Sequence, residues 1–129
     1  MVAVDAADRD TAASIIDTLA DAGHAAVWLP RRQPGPLAAG FSAAVWSGGQ
    51  LDGRNAHLLG EFCTRMRAFS APVVALLDFP RRDELSLATR LGVASLLGKP
   101  WASDALIAAI DHATASMPEA GTGSLRSAA

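Results

Sequence analysis

The feature of this chain that most constrains its fold is a short apolar segment, residues 93–97, lying between Gly92 and the dipeptide Lys99-Pro100. Glycine readily adopts the left-handed backbone that closes helices, so Gly92 predicts a helix end. The apolar run has the length of a strand and is too short for a buried helix. Proline removes a backbone donor and can support a cis peptide bond, so the strand should stop there. One positive charge is therefore predicted at the carboxyl end of a strand, where open α/β sheets bind their ligands.

The composition is that of a globular domain with a real core. The chain has 129 residues, of which 50% are hydrophobic and only 19% are charged, which argues against global disorder. We expect one domain over residues 1–117 and a flexible tail of small and polar residues over 118–129. The formal net charge of -2 gives no reason to expect nucleic acid or a membrane surface as a partner.

The first residues do not resemble a signal peptide, and no apolar run approaches the length of a membrane span. Cys63 is the single cysteine, so an internal disulfide is excluded and a reducing compartment fits. We therefore expect a cytoplasmic protein. Cys63 falls on a helical apolar stripe, which predicts a small buried side chain rather than a nucleophile. His24, His57 and His112 do not have the spacing of metal ligands, so we expect no metal site.

Apolar periodicity predicts strands and helices in alternation. Strands are predicted over residues 2–4, 24–29, 41–46, 73–77 and 93–97, and the helical apolar stripes cover residues 12–19, 59–69, 85–91 and 106–113. Three prolines within residues 30–36 prevent a regular helix there, so we expect an irregular crossover with at most one helical turn at 37–40. Five strands alternating with helices predict a parallel sheet covered on both faces. Periodicity alone does not choose the strand order.

The string from Gly92 to Trp101 resembles the last strand of the receiver domain of two-component response regulators, the CheY-like family, which commonly ends Gly-Ala-x-x-Tyr-x-x-Lys-Pro-Phe. The resemblance implies an α/β fold of three layers: a doubly wound, five-stranded parallel sheet of the flavodoxin-like order 2-1-3-4-5. It also implies that the irregular crossover replaces the second helix of the family.

The family's site residues are largely missing from this chain. Receivers accept a phosphoryl group on an aspartate that ends the third strand, and a Ser or Thr ends the fourth strand. Family spacing counted back from Lys99 places Ser47 at the acceptor position and Leu77 at the hydroxyl position. Ser47 has no carboxylate to form an acyl phosphate, and Leu77 has no hydroxyl. The resemblance therefore implies a degenerate phosphorylation pocket, formed by Asp5, Ala6, Ser47, Leu77, Lys99 and Pro100.

The acidic pair that holds Mg²⁺ in receivers is also incomplete. Asp5 is retained, but its partner position is Ala6; the register is open to one residue, and Asp8 is the nearest substitute. One carboxylate is a poor Mg²⁺ site because the ion needs several fixed oxygens. We expect no metal, no cofactor, no catalytic residue and no enzymatic activity, with Lys99 paired to Asp5. Trp46, directly before the site, is expected to fill core space.

These features predict a stand-alone pseudo-receiver, a signalling domain that acts by protein–protein contact without aspartyl phosphorylation. The alternative is a small-ligand or nucleotide-sensing domain that uses the cleft around Asp5, Ser47, Gly48 and Lys99. A third hypothesis, a receiver phosphorylated at a displaced acceptor, needs Asp52 or Asp78, and neither falls at the required strand end.

In receivers the face made by the helix before the fifth strand, the fifth strand and the last helix usually carries the output contact. Here Leu85, Ala88 and Leu91 are expected to form the buried stripe of that helix, and Leu87 is expected to point outward among arginines. We expect this face to bind a second copy of the chain or a protein with an acidic rim. The candidate partner face consists of Arg81, Arg82, Leu87, Arg90, Leu96 and Trp101.

Overall fold

The computed structural model describes residues 1–29 and 40–116 of the chain. The predicted irregular crossover and most of the predicted helical turn at 37–40 lie outside the described residues, as does the predicted tail. The strands are β1 (Val2–Asp5), β2 (Ala26–Trp28), β3 (Ala43–Ser47), β4 (Val73–Asp78) and β5 (Val93–Lys99). The helices are α1 (Arg9–Asp21), α2 (Gly53–Arg67), α3 (Arg82–Leu91) and α4 (Ser103–Ser116).

The strands form one five-stranded sheet in the order β2-β1-β3-β4-β5, and every neighbouring pair is parallel. The predicted doubly wound fold and its strand order are therefore confirmed. Strand β2 is shorter than the predicted strand over 24–29. None of the described helices is both long enough and apolar enough to cross a bilayer.

Two apolar cores lie on opposite faces of the sheet, because successive side chains of a strand point to opposite sides. One core packs Ile15 of α1 and Leu106 of α4 against Val45. The other packs Phe62 of α2 and Ala88 of α3 against Trp46. This covering of both faces explains why all five residues of β3 are buried.

Polar caps fix where the helices begin after the strands. The Asp8 carboxylate accepts a hydrogen bond from the Thr11 backbone N–H at 3.0 Å and caps α1. The Asp52 carboxylate accepts one from Asn55 N–H at 2.9 Å and caps α2. Such a cap stabilises a helix by about 1 kcal/mol. Helix α3 ends at Gly92, whose φ of 108° is the left-handed geometry predicted from the sequence.

The predicted rotation of α3 is wrong. Leu85 is 45% exposed, whereas Leu87 is half-buried and packs against the core of the α2 and α3 face. The inward stripe consists of Glu84, Leu87, Ala88 and Leu91, which share one side of a helix because they are three or four residues apart. The buried carboxylate of Glu84 sets this rotation, since its backbone donors lie on the core side.

Candidate functional site

The carboxyl ends of the parallel strands bring four polar residues to one edge of the sheet. Asp5 ends β1, Ser47 ends β3, Asp78 ends β4 and Lys99 ends β5. Asp5 is paired in register with Trp46, the neighbour of Ser47, and Asp78 is paired with Lys99. Asp5 and Ser47 are buried, being 5% and 3% exposed. The structure thus gathers at this edge the predicted cleft residues Asp5, Ser47 and Lys99.

The other predicted pocket residues are distributed between this edge and the two cores. Pro100 follows Lys99 at the edge, and the Lys99-Pro100 peptide bond is cis. Leu77 is fully buried in the core of the α2 and α3 face. Ala6 is buried in the opposite core, and its carbonyl accepts a hydrogen bond from Trp28 Nε1 at 3.0 Å. Leu77 and Ala6 therefore contribute packing and offer no polar side-chain atom to the edge.

The segment after β3 is shaped by Trp46, which is fully buried as predicted. A Cβ added to Gly48 would collide with the six-membered ring of Trp46. Only glycine therefore fits at this position without displacing the indole. The absence of a side chain at Gly48 has a packing cause, which weakens the hypothesis that Gly48 is there to line a small-ligand or nucleotide cleft.

A further carboxylate, Asp8, lies close to the edge, and Asp78 also faces the loop after β3. Hydrogen bonds from the Thr11 backbone N–H and hydroxyl hold the pKa of Asp8 below its ordinary value, and the positive charge of Lys99 lowers it further. The Asp78 carboxylate lies beside the loop after β3: a Cβ added to Gly49 would be 3.6 Å from Asp78 Oδ2. Within the two described ranges no three His, Cys, Asp or Glu side chains are grouped as a metal site. The predicted ion pair between Asp5 and Lys99 stays a prediction.

Glu84 is a residue whose importance the sequence analysis missed. Its carboxylate accepts hydrogen bonds from the backbone N–H of Leu51 at 2.8 Å and from that of Arg81 at 3.1 Å. These two backbone donors, first Leu51 and then Arg81, lower the pKa of Glu84 below its ordinary value. Glu84 thereby ties the loop after β3 to the start of α3. The signal in the sequence was a glutamate three residues into a helix, the position that completes a capping box.

The candidate partner face differs from the predicted one. Arg81, Arg82 and Arg90 are exposed as expected. Leu87, Leu96 and Trp101, in contrast, are half-buried and pack against the cores. The large apolar side chains displayed on this side of the molecule are Phe79, 81% exposed, and Leu85.

Phe79 is held outward by an unusual backbone. Its φ is 41°, a value uncommon for residues other than glycine. The next residue, Pro80, packs closely over strand β5, since a Cβ added to Gly98 would lie 3.3 Å from Pro80 Cδ. The contact of Pro80 with β5 places Phe79 beside the end of that strand.

Solved structures share this architecture at low sequence identity. A protein described as pilus assembly-related from Burkholderia pseudomallei superimposes with a TM-score of 0.70 at 17% identity, covering 92% of this chain and 91% of its own. A pilus assembly protein from Burkholderia thailandensis gives 0.69 at 19%, covering 89% and 98%. A CheY-like response regulator from Mesorhizobium loti gives 0.64 at 18%, covering 87% and 96%. No family model and no curated protein matches the sequence.

The chain therefore has the receiver fold of response regulators, and the resemblance found at residues 92–101 is confirmed at the level of the fold.

Proposed function

We propose that this chain is a pseudo-receiver, a signalling domain with the receiver fold that works by contact with another protein and not by phosphorylation of an aspartate. The observation that carries the proposal is the end of β3. Strand β3 ends at the buried Ser47, at the position where receivers have their acceptor aspartate. The ring of Trp46 packs against Gly48, the residue that follows Ser47. A serine alcohol cannot form the acyl phosphate on which receiver chemistry depends.

The neighbouring aspartates are poor substitutes for the missing acceptor. The Asp52 carboxylate already accepts the N–H of Asn55 as the cap of α2. Asp78 ends β4, one strand away from the acceptor position, and is paired in register with Lys99. The capping role of Asp52 and the location of Asp78 on a different strand both support the proposal that this domain does not work by aspartyl phosphorylation.

The surface that supports a protein contact is the one around Phe79 and Leu85. Both apolar side chains are exposed, and the adjacent Arg81 and Arg82 supply a basic rim. Exposed aromatic residues bordered by charged ones are characteristic of interaction surfaces, and aromatic side chains often dominate their binding energy. The partner chemistry that fits is an apolar pocket with an acidic rim, on a protein of a signalling or assembly complex.

Two of the similar structures are described as pilus-assembly proteins, so a receiver fold is not confined to chains described as response regulators. This likeness is one of fold, and it supports the proposal only in that general way.

The direct test is phosphotransfer from a small-molecule donor. The chain is incubated with acetyl phosphate and Mg²⁺, and its intact mass is measured alongside a response-regulator receiver that autophosphorylates in the same buffer. The proposal predicts a phosphorylated control and an unmodified chain. A phosphorylated chain whose modification disappears in Asp78→Asn or Asp52→Asn would contradict it.

A further inference from the structure

The four helices within residues 1–29 and 40–116 divide into an acidic pair and a basic pair. Helices α1 and α4, which cover one face of the sheet, carry five carboxylates and one arginine. Helices α2 and α3, which cover the other face, carry five arginines and three carboxylates. Two of those three carboxylates already have partners: Glu61 lies 2.8 Å from His57 Nε2, and Glu84 accepts hydrogen bonds from backbone N–H groups. The sheet thus separates an acidic face from a basic face.

The basic face contains an open groove of about 670 Å³ between α2 and α3. Its floor is apolar, formed by Ala56, Gly60 and Leu91, and Arg65 and Arg90 border it. One guanidinium nitrogen of Arg65 is buried and has no hydrogen-bond partner among the described residues. Neither arginine makes an ion pair within the described part of the chain. A carboxylate from outside the molecule would balance the positive charge of Arg65 and Arg90 at this groove.

The acidic face contains a groove of the matching kind, about 440 Å³, between α1 and α4. Asp21 and Asp104 border it, and Ile107, Ala108 and Ala22 supply its apolar lining. Asp21 and Asp104 make no ion pair within the described residues, whereas Asp111 at the same groove lies 3.1 Å from His24. This groove therefore offers two carboxylates without an ion-pair partner, which complement the two arginines at the basic groove, where Glu61 is paired with His57.

We propose that a second copy of this chain occupies each groove: the α1–α4 face of one copy docks on the α2–α3 face of the next. The contact is head to tail, because the two surfaces that meet are different surfaces of the same molecule. Each pair then leaves one acidic and one basic face unoccupied, so association continues as concentration rises. The proposal does not rest on the partner contact through Phe79 and Leu85, since neither residue lines the α2–α3 groove.

The size of the faces makes this a weak association. Two adjacent helices of this length present a surface of roughly 20 Å by 20 Å, from a rise of about 1.5 Å per residue and a diameter of about 10 Å. That is about half of the roughly 800 Å² per partner found in stable interfaces. Charge complementarity then governs the rate and the salt dependence of association. Self-association should appear at low ionic strength and weaken at high salt, where the Debye length falls from about 30 Å to about 3 Å.

Two variants with one face altered in each provide the test. The first replaces Arg65 and Arg90 by glutamate on the basic face. The second carries two lysine substitutions on the acidic face. Asp21→Lys lies at the end of α1, where a positive charge interacts favourably with the helix dipole, and Ala108→Lys lies at an exposed position of α4. Weight-average mass is measured by sedimentation equilibrium from micromolar to millimolar protein at low salt. Each variant alone should associate at least about tenfold more weakly than the unaltered chain.

The mixture of the two variants distinguishes this geometry from other dimers. Each retains one intact face of opposite kind, so an equimolar mixture should form a complex in which the intact acidic face of the first variant meets the intact basic face of the second. The matched controls are Arg54→Glu on α2 and Asp17→Lys on α1, which do not line the grooves and should associate as the unaltered chain does. If the arginine variant melts at a lower temperature, Thr64→Glu replaces it in the same groove. A chain that stays monomeric at low salt, or a mixture that does not form the complex, overturns the proposal.

Discussion

The Glu84 carboxylate accepts a hydrogen bond of 2.8 Å from the backbone N–H of Leu51, a residue of the loop after β3 that lies 33 positions earlier in the chain. The same carboxylate accepts a hydrogen bond from Arg81 N–H at the start of α3. One side chain therefore connects the segment that follows the degenerate acceptor position to the helix beside the proposed partner surface. It also fixes which side of α3 faces the core.

Replacing Glu84 by alanine should lower the free energy of unfolding by about 1–3 kcal/mol, because Leu51 N–H loses its partner at a buried site. The matched control is Asp83→Ala, which removes an exposed carboxylate from the adjacent position of α3. Urea unfolding of the two variants and of the unaltered chain measures the difference. Equal midpoints for Glu84→Ala and Asp83→Ala would contradict the assigned role.

The lowered pKa of Glu84 predicts the sign of a pH dependence. Its ionised form is favoured in the folded chain, so its contribution to stability is complete above the ordinary carboxyl pKa of 4.5. That contribution is lost as the pH falls from there through the lower folded pKa. The difference in unfolding free energy between the unaltered chain and Glu84→Gln should therefore shrink on acidification. Asp8 also has a lowered pKa, but it is present in both proteins and cancels in the comparison. A difference that grows towards low pH would contradict this.

Gly48→Ala should be destabilising, because the new methyl group meets the buried ring of Trp46. Overpacking of this kind typically costs about 1–3 kcal/mol. Gly53→Ala is the control, since a Cβ there meets nothing within 4 Å. Thermal unfolding and tryptophan emission should change in the first variant and stay close to the unaltered chain in the second. If Gly48→Ala melts with the unaltered chain, the indole is not packed under this residue.

Cys63 should be unreactive in the folded chain. Burial raises the pKa of its thiol to about 11, although the positive charge of Arg67 opposes this, and the side chain lies in the core of the α2 and α3 face. A disulfide reagent at neutral pH should modify it no faster than the chain unfolds, and at once in denaturant. Fast labelling of the native chain would show that this core opens readily.

The fold could be predicted from the sequence more completely than the arrangement of the exposed side chains. The apolar runs located the strands, and the Gly92 to Trp101 string supplied the strand order that periodicity could not. The predicted rotation of α3 was wrong because spacings of three residues, as from Leu85 to Ala88, and of four residues, as from Leu87 to Leu91, both suit one face of a helix. The buried Glu84 lies on the face that includes Leu87. A buried carboxylate cannot be recognised by hydrophobic periodicity, since its donors come from the loop at Leu51. The outward position of Phe79 likewise depends on its positive φ, which the sequence does not reveal.

The measurement that tests the central proposal most directly is capture of the native partner by three immobilised proteins and one immobilised control. These are the unaltered chain, the double variant Phe79→Asp with Leu85→Asp, and Ser47→Ala at the acceptor position. Ala13→Asp, an exposed site on α1, controls for the added charge. We expect the double variant to capture the partner at least about tenfold less than the unaltered chain, as loss of an aromatic anchor does in other interfaces. Capture by Ser47→Ala and Ala13→Asp should be unchanged, with or without acetyl phosphate. Full capture by the double variant, or capture that requires Ser47 or a phosphate donor, would contradict a phosphorylation-independent contact at this surface.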